Sequence, residues 1–193
     1  MLPMDQSDVE KFKRSVVEAD VTSLLSPEDV EKLVQKIARN IDDSLDKNSK
    51  VMFVGVLKGA WVFLADLVRE FSRPCKVDFI RARSYGDATV SSGSVQITKD
   101  IESDPSGYDV FLVEDIIDTG RTLMALKSHF ENKGARSVKL VAFLDKKERR
   151  EVECHADYVG LEIPDKFVIG YGLDWAERFR DLKGVYQVTP HNS

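Results

Sequence analysis

Between residues 51 and 144 the chain alternates apolar runs of strand length with segments of helical spacing, and few architectures accept that rhythm. Val51-Met52-Phe53-Val54-Gly55-Val56-Leu57 reads as a buried strand, and Ala60 to Phe71 as the helix after it. Phe79 to Arg83 and Ser94 to Ile101 read as strands around a loop rich in Gly, Ser, Asp and Thr. Tyr108 to Ile116 is another buried strand, Thr122 to Asn132 a helix ending near Gly134, and Val138 to Leu144 the next strand. Strand, helix and strand in repetition predict an α/β protein with a central, mainly parallel sheet flanked by helices.

Upstream, Ser26-Pro27-Glu28-Asp29 supplies an N-cap, a first-turn proline and acids near the positive end of a helix dipole. Val30, Leu33, Val34, Ile37 and Ile41 then recur at helical spacing, which predicts an amphipathic packing helix. Beyond Leu144, short apolar pieces at Tyr158 to Ile163, Phe167 to Tyr171 and Val185 to Val188 are separated by Pro164, Gly170, Gly172 and Gly184. They predict a small lobe folded back on a single domain spanning 1–193, a hood built from about 1–45 and 155–193.

Composition removes several classes of function. The chain has 193 residues, 42% hydrophobic and 32% charged, with 10 Phe, 5 Tyr and 2 Trp, the make-up of a folded globular protein. No apolar run approaches the roughly 20 residues of a membrane span, and the amino terminus lacks a secretory pattern, so a cytoplasmic protein is expected. Cys75 and Cys154 stand alone, which suits reduced thiols and no structural zinc. A net charge of -5 disfavours nucleic acid but leaves room for small anionic ligands.

The chemistry concentrates in Val110-Phe111-Leu112-Val113-Glu114-Asp115-Ile116-Ile117-Asp118-Thr119-Gly120-Arg121-Thr122. A buried strand delivers two adjacent carboxylates at its carboxyl end, where open α/β sheets bind ligands. The next helix then opens on backbone N–H groups from Asp118 to Thr122, with the hydroxyls of Thr119 and Thr122, a suitable cradle for a phosphate. Neighbours on a strand point to opposite faces, so Glu114 and Asp115 need not touch the same atom. By residue type alone, a solvated turn with a helix cap fits the same acids. A nucleoside-triphosphate P-loop and a Gly-x-Gly-x-x-Gly fingerprint are both absent.

The thirteen residues together resemble the phosphoribosyl pyrophosphate signature of the type I phosphoribosyltransferase family. Leu57-Lys58-Gly59-Ala60, Ser84-Tyr85-Gly86 and Ile163-Pro164-Asp165-Lys166-Phe167-Val168-Ile169-Gly170-Tyr171 follow in order and resemble its hypoxanthine-guanine branch. That similarity runs from about Leu24 to Val188. It implies the type I fold with a hood, and transfer of a phosphoribosyl group from phosphoribosyl pyrophosphate to a 6-oxopurine base, giving IMP or GMP. It also implies Mg2+ and a homodimer or homotetramer.

Carried over by position, the resemblance implies that Glu114, Asp115, Asp118, Thr119, Gly120, Arg121 and Thr122 hold ribose and its phosphate. Asp118 accepts the purine proton, and Glu114, Asp115 and Asp174 serve the metal. Lys58, Gly59 and Arg180 face pyrophosphate, with a cis peptide before the lysine. Ile116, Lys146, Phe167, Val168 and Asp174 form the base site, Phe167 stacking on the purine and Lys146 meeting its exocyclic oxygen. Ser84 and Tyr85 begin a mobile loop over the reacting centre. Lys147, Arg149 and Arg150 are expected to be solvent-facing charge. By periodicity alone Phe167 would be core strand, Lys58 a solvated strand end, and Arg180 a surface partner of Asp181 or Glu177.

The chain departs from the family pattern at Ala60, where a second glycine is common, at Arg121, where lysine is, and at Trp175, where tyrosine is. Two alternatives stay open: a xanthine-preferring transferase, and an RNA-binding regulator on the same fold, which would need a basic face.

Overall fold

In a computed structural model of the chain, the structure describes Asp8, residues 19–84 and residues 95–190. Tyr85 and the loop expected after Ser84 lie outside the described residues.

The elements run in order as β1 (Ala19–Leu25), α1 (Pro27–Ser44), β2 (Val51–Val56), α2 (Trp61–Glu70), β3 (Cys75–Ser84) and β4 (Val95–Lys99). Then follow β5 (Asp109–Ile117), α3 (Arg121–Asn132), β6 (Ser137–Asp145), β7 (Tyr158–Glu162), β8 (Val168–Ile169) and β9 (Val185–Pro190), with a 3-10 turn at Lys147–Arg149. Six strands form the main sheet in the order β4-β3-β2-β5-β6-β7, and three form a small sheet in the order β1-β9-β8. In the main sheet the β3–β4 pair is antiparallel and the other pairs are parallel.

Two apolar layers sandwich the main sheet. On one face Val34, Ile37, Phe63, Leu64 and Leu67 of α1 and α2 pack against Phe53, Phe111 and Phe143. On the other, Leu123, Leu126 and Phe130 of α3 meet Met52, Val110, Leu112 and Leu140. Burial on both faces explains why β2 and β5 read as continuous hydrophobic runs rather than alternating ones.

The small lobe is narrower than the sequence suggests. Tyr158–Glu162 was expected within it but pairs in parallel with β6 as the edge of the main sheet. Helix α1, inside the expected hood boundary, packs against α2 and β7 of the main body. Neither periodicity nor turn signals say which sheet a five-residue strand joins. Asp8 docks on the small lobe, accepting hydrogen bonds from Lys183 N at 3.0 Å, Gly184 N at 3.2 Å and the Tyr186 hydroxyl at 2.6 Å.

The strand order places the site. After β2 the chain crosses through α2 to β3 on one side, and after β5 it crosses through α3 to β6 on the other. The carboxyl ends of β2 and β5 therefore flank a topological switch point, where open α/β sheets leave a crevice. The loops there begin at Leu57 and Asp118.

Candidate active site

Glu114 and Asp115 emerge from β5 on opposite faces of the sheet. Asp115 turns toward α2, beneath the loop that follows β2. An added Cβ on Gly59 would lie 1.6 Å from Asp115 Oδ2, so only glycine lets backbone and carboxylate approach this closely. The Leu57–Lys58 peptide in that loop is cis. Burial raises the Asp115 carboxyl to about 6 despite the Ile116 N–H that donates to it at 2.9 Å, and nearby Arg180 and Asp174 act on it in opposite senses. Asp115, Gly59, Asp174 and Arg180 thus converge. Arg180 reaches Asp174 Oδ1 at 2.7 Å and donates to the Gly172 carbonyl at 2.7 Å. Lys58 is exposed and donates to Glu177 Oε2 at 2.7 Å.

Glu114 faces the α3 side, where it lines a cleft of about 240 Å3 with Ile116, Ile117, Asp118, Thr119, Gly120, Thr122 and Leu123. Its Oε2 is sealed from solvent and has no hydrogen-bond partner among the described residues. Burial, reinforced by the neighbouring Asp115, pushes its carboxyl well above the usual carboxylate range. A buried acceptor without a donor is costly unless a ligand completes it.

The helix that closes this cleft lacks what α1 has. Helix α1 carries a full capping box between Ser26 and Asp29, with Glu28 and Asp29 in its first turn. Helix α3 starts from Gly120 in the left-handed region at φ 82, with no side-chain cap and no acid in its first turn. An uncapped helix start free of acids is chemically open to an anion. Of the first N–H groups of α3, that of Arg121 donates to Thr119 Oγ1 at 3.4 Å, while the Arg121 side chain turns outward to Glu151 Oε2 at 2.6 Å.

The structure corrects one expectation in this loop. Arg149 is solvent-facing as expected, its side chain 48% exposed, but Arg150 is largely covered and is not a solvent-facing charge. Arg150 donates to the Asp118 carbonyl at 2.6 Å and pairs with Asp145, which is 3% exposed. Arg149 Nε lies 2.8 Å from Asp118 Oδ1, close enough for an ion pair but without hydrogen-bond alignment. The Thr119 carbonyl accepts from Glu151 N at 3.1 Å, and an added Cβ on Gly120 would lie 2.7 Å from Cys154 Cβ. Residues 149–154 therefore clamp the loop from behind. Cys154 is buried and Cys75 half-buried, both as free thiols.

A third group lies beyond β6. Lys146 is buried, its N–H donating to the Ile117 carbonyl at 2.9 Å and its Nζ 3.6 Å from Asp165 Oδ1. Phe167 is 47% exposed, edge-on to Trp175 with ring centroids 5.7 Å apart, whereas Val168 beside it is buried. Trp175 is half-buried against the small-lobe apolar cluster, and it holds the exposed Phe167 ring at the surface. Ser84 ends β3 opposite Val95.

Residues 20–176 match the model of the phosphoribosyl transferase domain. The chain belongs to the phosphoribosyltransferase family. Among curated phosphoribosyltransferases it is 47% identical over 165 residues to hypoxanthine-guanine phosphoribosyltransferase of Aquifex aeolicus (strain VF5), covering 86% of this chain and 93% of that one. It is 41% identical over 167 residues to the Bacillus subtilis (strain 168) enzyme of the same name, covering 86% and 92%. A crystal structure of a hypoxanthine-guanine phosphoribosyltransferase from Bacillus anthracis, with HEPES in its active site, superposes with a TM-score of 0.83. It is 41% identical and covers 89% of this chain and all, 100%, of that one. The expected type I phosphoribosyltransferase fold is therefore the fold of this chain.

Proposed function

We propose that this phosphoribosyltransferase moves the 5-phosphoribosyl group from phosphoribosyl pyrophosphate to hypoxanthine or guanine, giving IMP or GMP and pyrophosphate. One observation carries the proposal: Glu114 and Asp115 sit between two loops at the switch point, one with Gly59 pressed on a carboxylate, the other opening an uncapped helix.

In this scheme the backbone from Asp118 to Thr122, with the Thr119 and Thr122 hydroxyls, receives the 5-phosphate. Glu114 faces the ribose hydroxyls, while Lys58, Gly59 and Arg180 face the pyrophosphate. Among the described residues no three carboxylate, His or Cys side chains gather into a closed metal site. Magnesium fits that arrangement, since it commonly takes one or two carboxylates and completes its shell with substrate oxygens and water. Asp115 and Asp174, near each other on one side of the sheet, are the acids that would hold it, with Glu114 on the other side acting through water or the ribose hydroxyls, and it would supply charge neutralisation of the leaving pyrophosphate. Positive charge develops on the ribose as the bond to pyrophosphate breaks, and the two carboxylates stabilise it more in the transition state than in the ground state.

On the hood side, Phe167 offers an open face for stacking and the Val168 backbone an edge for hydrogen bonds. Lys146 would donate to the exocyclic oxygen of the base, and it prefers that oxygen to the amino group of adenine. Asp118 would accept the purine proton. The protein is cytoplasmic in this account, and Trp61, 47% exposed on α2, offers an apolar surface for a homodimer or homotetramer.

The test is pyrophosphate release with hypoxanthine, guanine, xanthine and adenine, each with and without magnesium. Turnover of the first two only with magnesium is expected. Equal turnover of adenine would defeat the assignment of Lys146, and a xanthine preference would redefine the substrate.

A further inference from the structure

The cations assigned to pyrophosphate already have an anion on them. Lys58 Nζ donates to Glu177 Oε2 at 2.7 Å, and the same oxygen lies 3.5 Å from Arg180 Nη2. The turn that carries Glu177 is tightly held. Trp175 and Arg178 exchange two backbone hydrogen bonds of 3.1 Å, and Glu177 N donates to Asp174 Oδ2 at 2.8 Å. Ala176 and Glu177 adopt left-handed backbone at φ 51 and φ 64. Such conformations are uncommon for residues with a side chain and persist only where surrounding contacts impose them. Here they direct a carboxylate across to a lysine 119 positions away in sequence.

The pair is exposed, with Lys58 and Glu177 side chains 47% and 64% accessible. An exposed ion pair is weak and readily exchanged. A polyphosphate carries more charge and more acceptor oxygens than one carboxylate, so it can take both cations from Glu177. It must nevertheless displace that carboxylate to do so.

We propose that Glu177 is an internal competitor for the pyrophosphate group, occupying Lys58 and Arg180 until a polyphosphate displaces it. The proposal rests on the assignment of Lys58 and Arg180 to pyrophosphate. Glu177 acts through those two cations and is a positioning residue that sets affinity at the leaving-group end of the site. Weakened binding there would speed release of pyrophosphate after each turnover.

Titration calorimetry of the full chain with inorganic pyrophosphate in magnesium buffer tests it. Glu177→Gln keeps the shape and removes the charge, and should tighten pyrophosphate by up to about fivefold, in line with the loss of an exposed ion pair. The KM for phosphoribosyl pyrophosphate should fall by a similar factor while the KM for the purine stays constant. A merely structural Glu177 would leave pyrophosphate affinity unchanged or weaken it, and either result in Glu177→Gln and Glu177→Ala overturns the proposal. Lys58→Ala separates the two levels. If it weakens pyrophosphate while Glu177→Gln changes nothing, the competitor role fails alone; if pyrophosphate ignores Lys58, the site assignment fails and the competitor role with it.

Discussion

In the proposed mechanism two adjacent acids, Glu114 and Asp115, work at the reacting centre, and in the ligand-free protein burial makes their ionisation costly. Burial raises Asp115 to about 6 from an ordinary 3.8. A carboxyl raised on folding contributes fully below its unfolded value, and that contribution is lost as pH climbs through the folded value. The ligand-free protein should therefore lose stability between about pH 4 and pH 7 on account of Asp115. Holding the group near 6 costs the ionised fold about 3 kcal/mol. Asp115→Asn should accordingly be more stable than the parent at pH 8, by up to that amount, and near parity at pH 4, while losing activity. Urea unfolding at both pH values checks this, and an equal difference at both would refute it. Asp118 is different: its predicted task is proton transfer, so Asp118→Asn should lower kcat about 100-fold with an unchanged melting temperature. Rates unchanged across pH in that variant would remove the proton-transfer role.

At the scale of elements, the loop from β5 to α3 is shaped from behind by residues 149–154. Asp145 is nearly fully buried and depends on Arg150, whose other arm holds the Asp118 carbonyl. Arg150→Ala leaves that charge unpaired, and breaking a buried pair from one side costs about 3–5 kcal/mol. Chemical denaturation should show that loss, together with a weaker KM for phosphoribosyl pyrophosphate. Gly120→Ala meets both a left-handed φ and Cys154 Cβ at 2.7 Å, so it too should destabilise, by more than about 1 kcal/mol. Little of this clamp was legible in sequence. Arg149 and Arg150 follow a strand in a run of charges, and such a run carries no periodicity to mark one arginine as the partner of a buried acid. By contrast, the thirteen residues around Glu114-Asp115 announced the strand, acids and loop together, because a buried run ending in acids and a glycine turn has few structural solutions.

Across the whole molecule, the main sheet was legible because burial on both faces leaves unbroken apolar runs at β2, β5 and β6. Element ends moved by one or two residues, except that β3 begins at Cys75 rather than Phe79. Its earlier residues, Lys76 and Asp78, break the apolar pattern although Asp78 is buried and accepts from Glu102 N at 3.0 Å and Ser103 N at 2.9 Å. Two strands of the small sheet, β8 and β9, fall in the pieces the sequence assigned to the small lobe, whereas β1 was not read as a strand because its partner β9 lies at the other end of the chain. Periodicity alone made Phe167 core, but the switch to the small sheet at β8 turns it outward, and only the family resemblance indicated an exposed ring. The hood, the two loops and the acids meet where the strand order reverses, so substrate and metal should stabilise the fold jointly. The melting temperature is expected to rise more with phosphoribosyl pyrophosphate and magnesium together than with either alone, as ligand linkage requires.

In the proposed mechanism the turn from Asp118 to Thr122 grips a sugar phosphate through main-chain amides. A crystal structure with IMP or GMP bound addresses it directly. The account predicts the 5-phosphate seated on the amides of that turn, with the ribose against Glu114 and the base between Phe167 and Lys146. A nucleotide bound elsewhere, with the turn left empty, would contradict it.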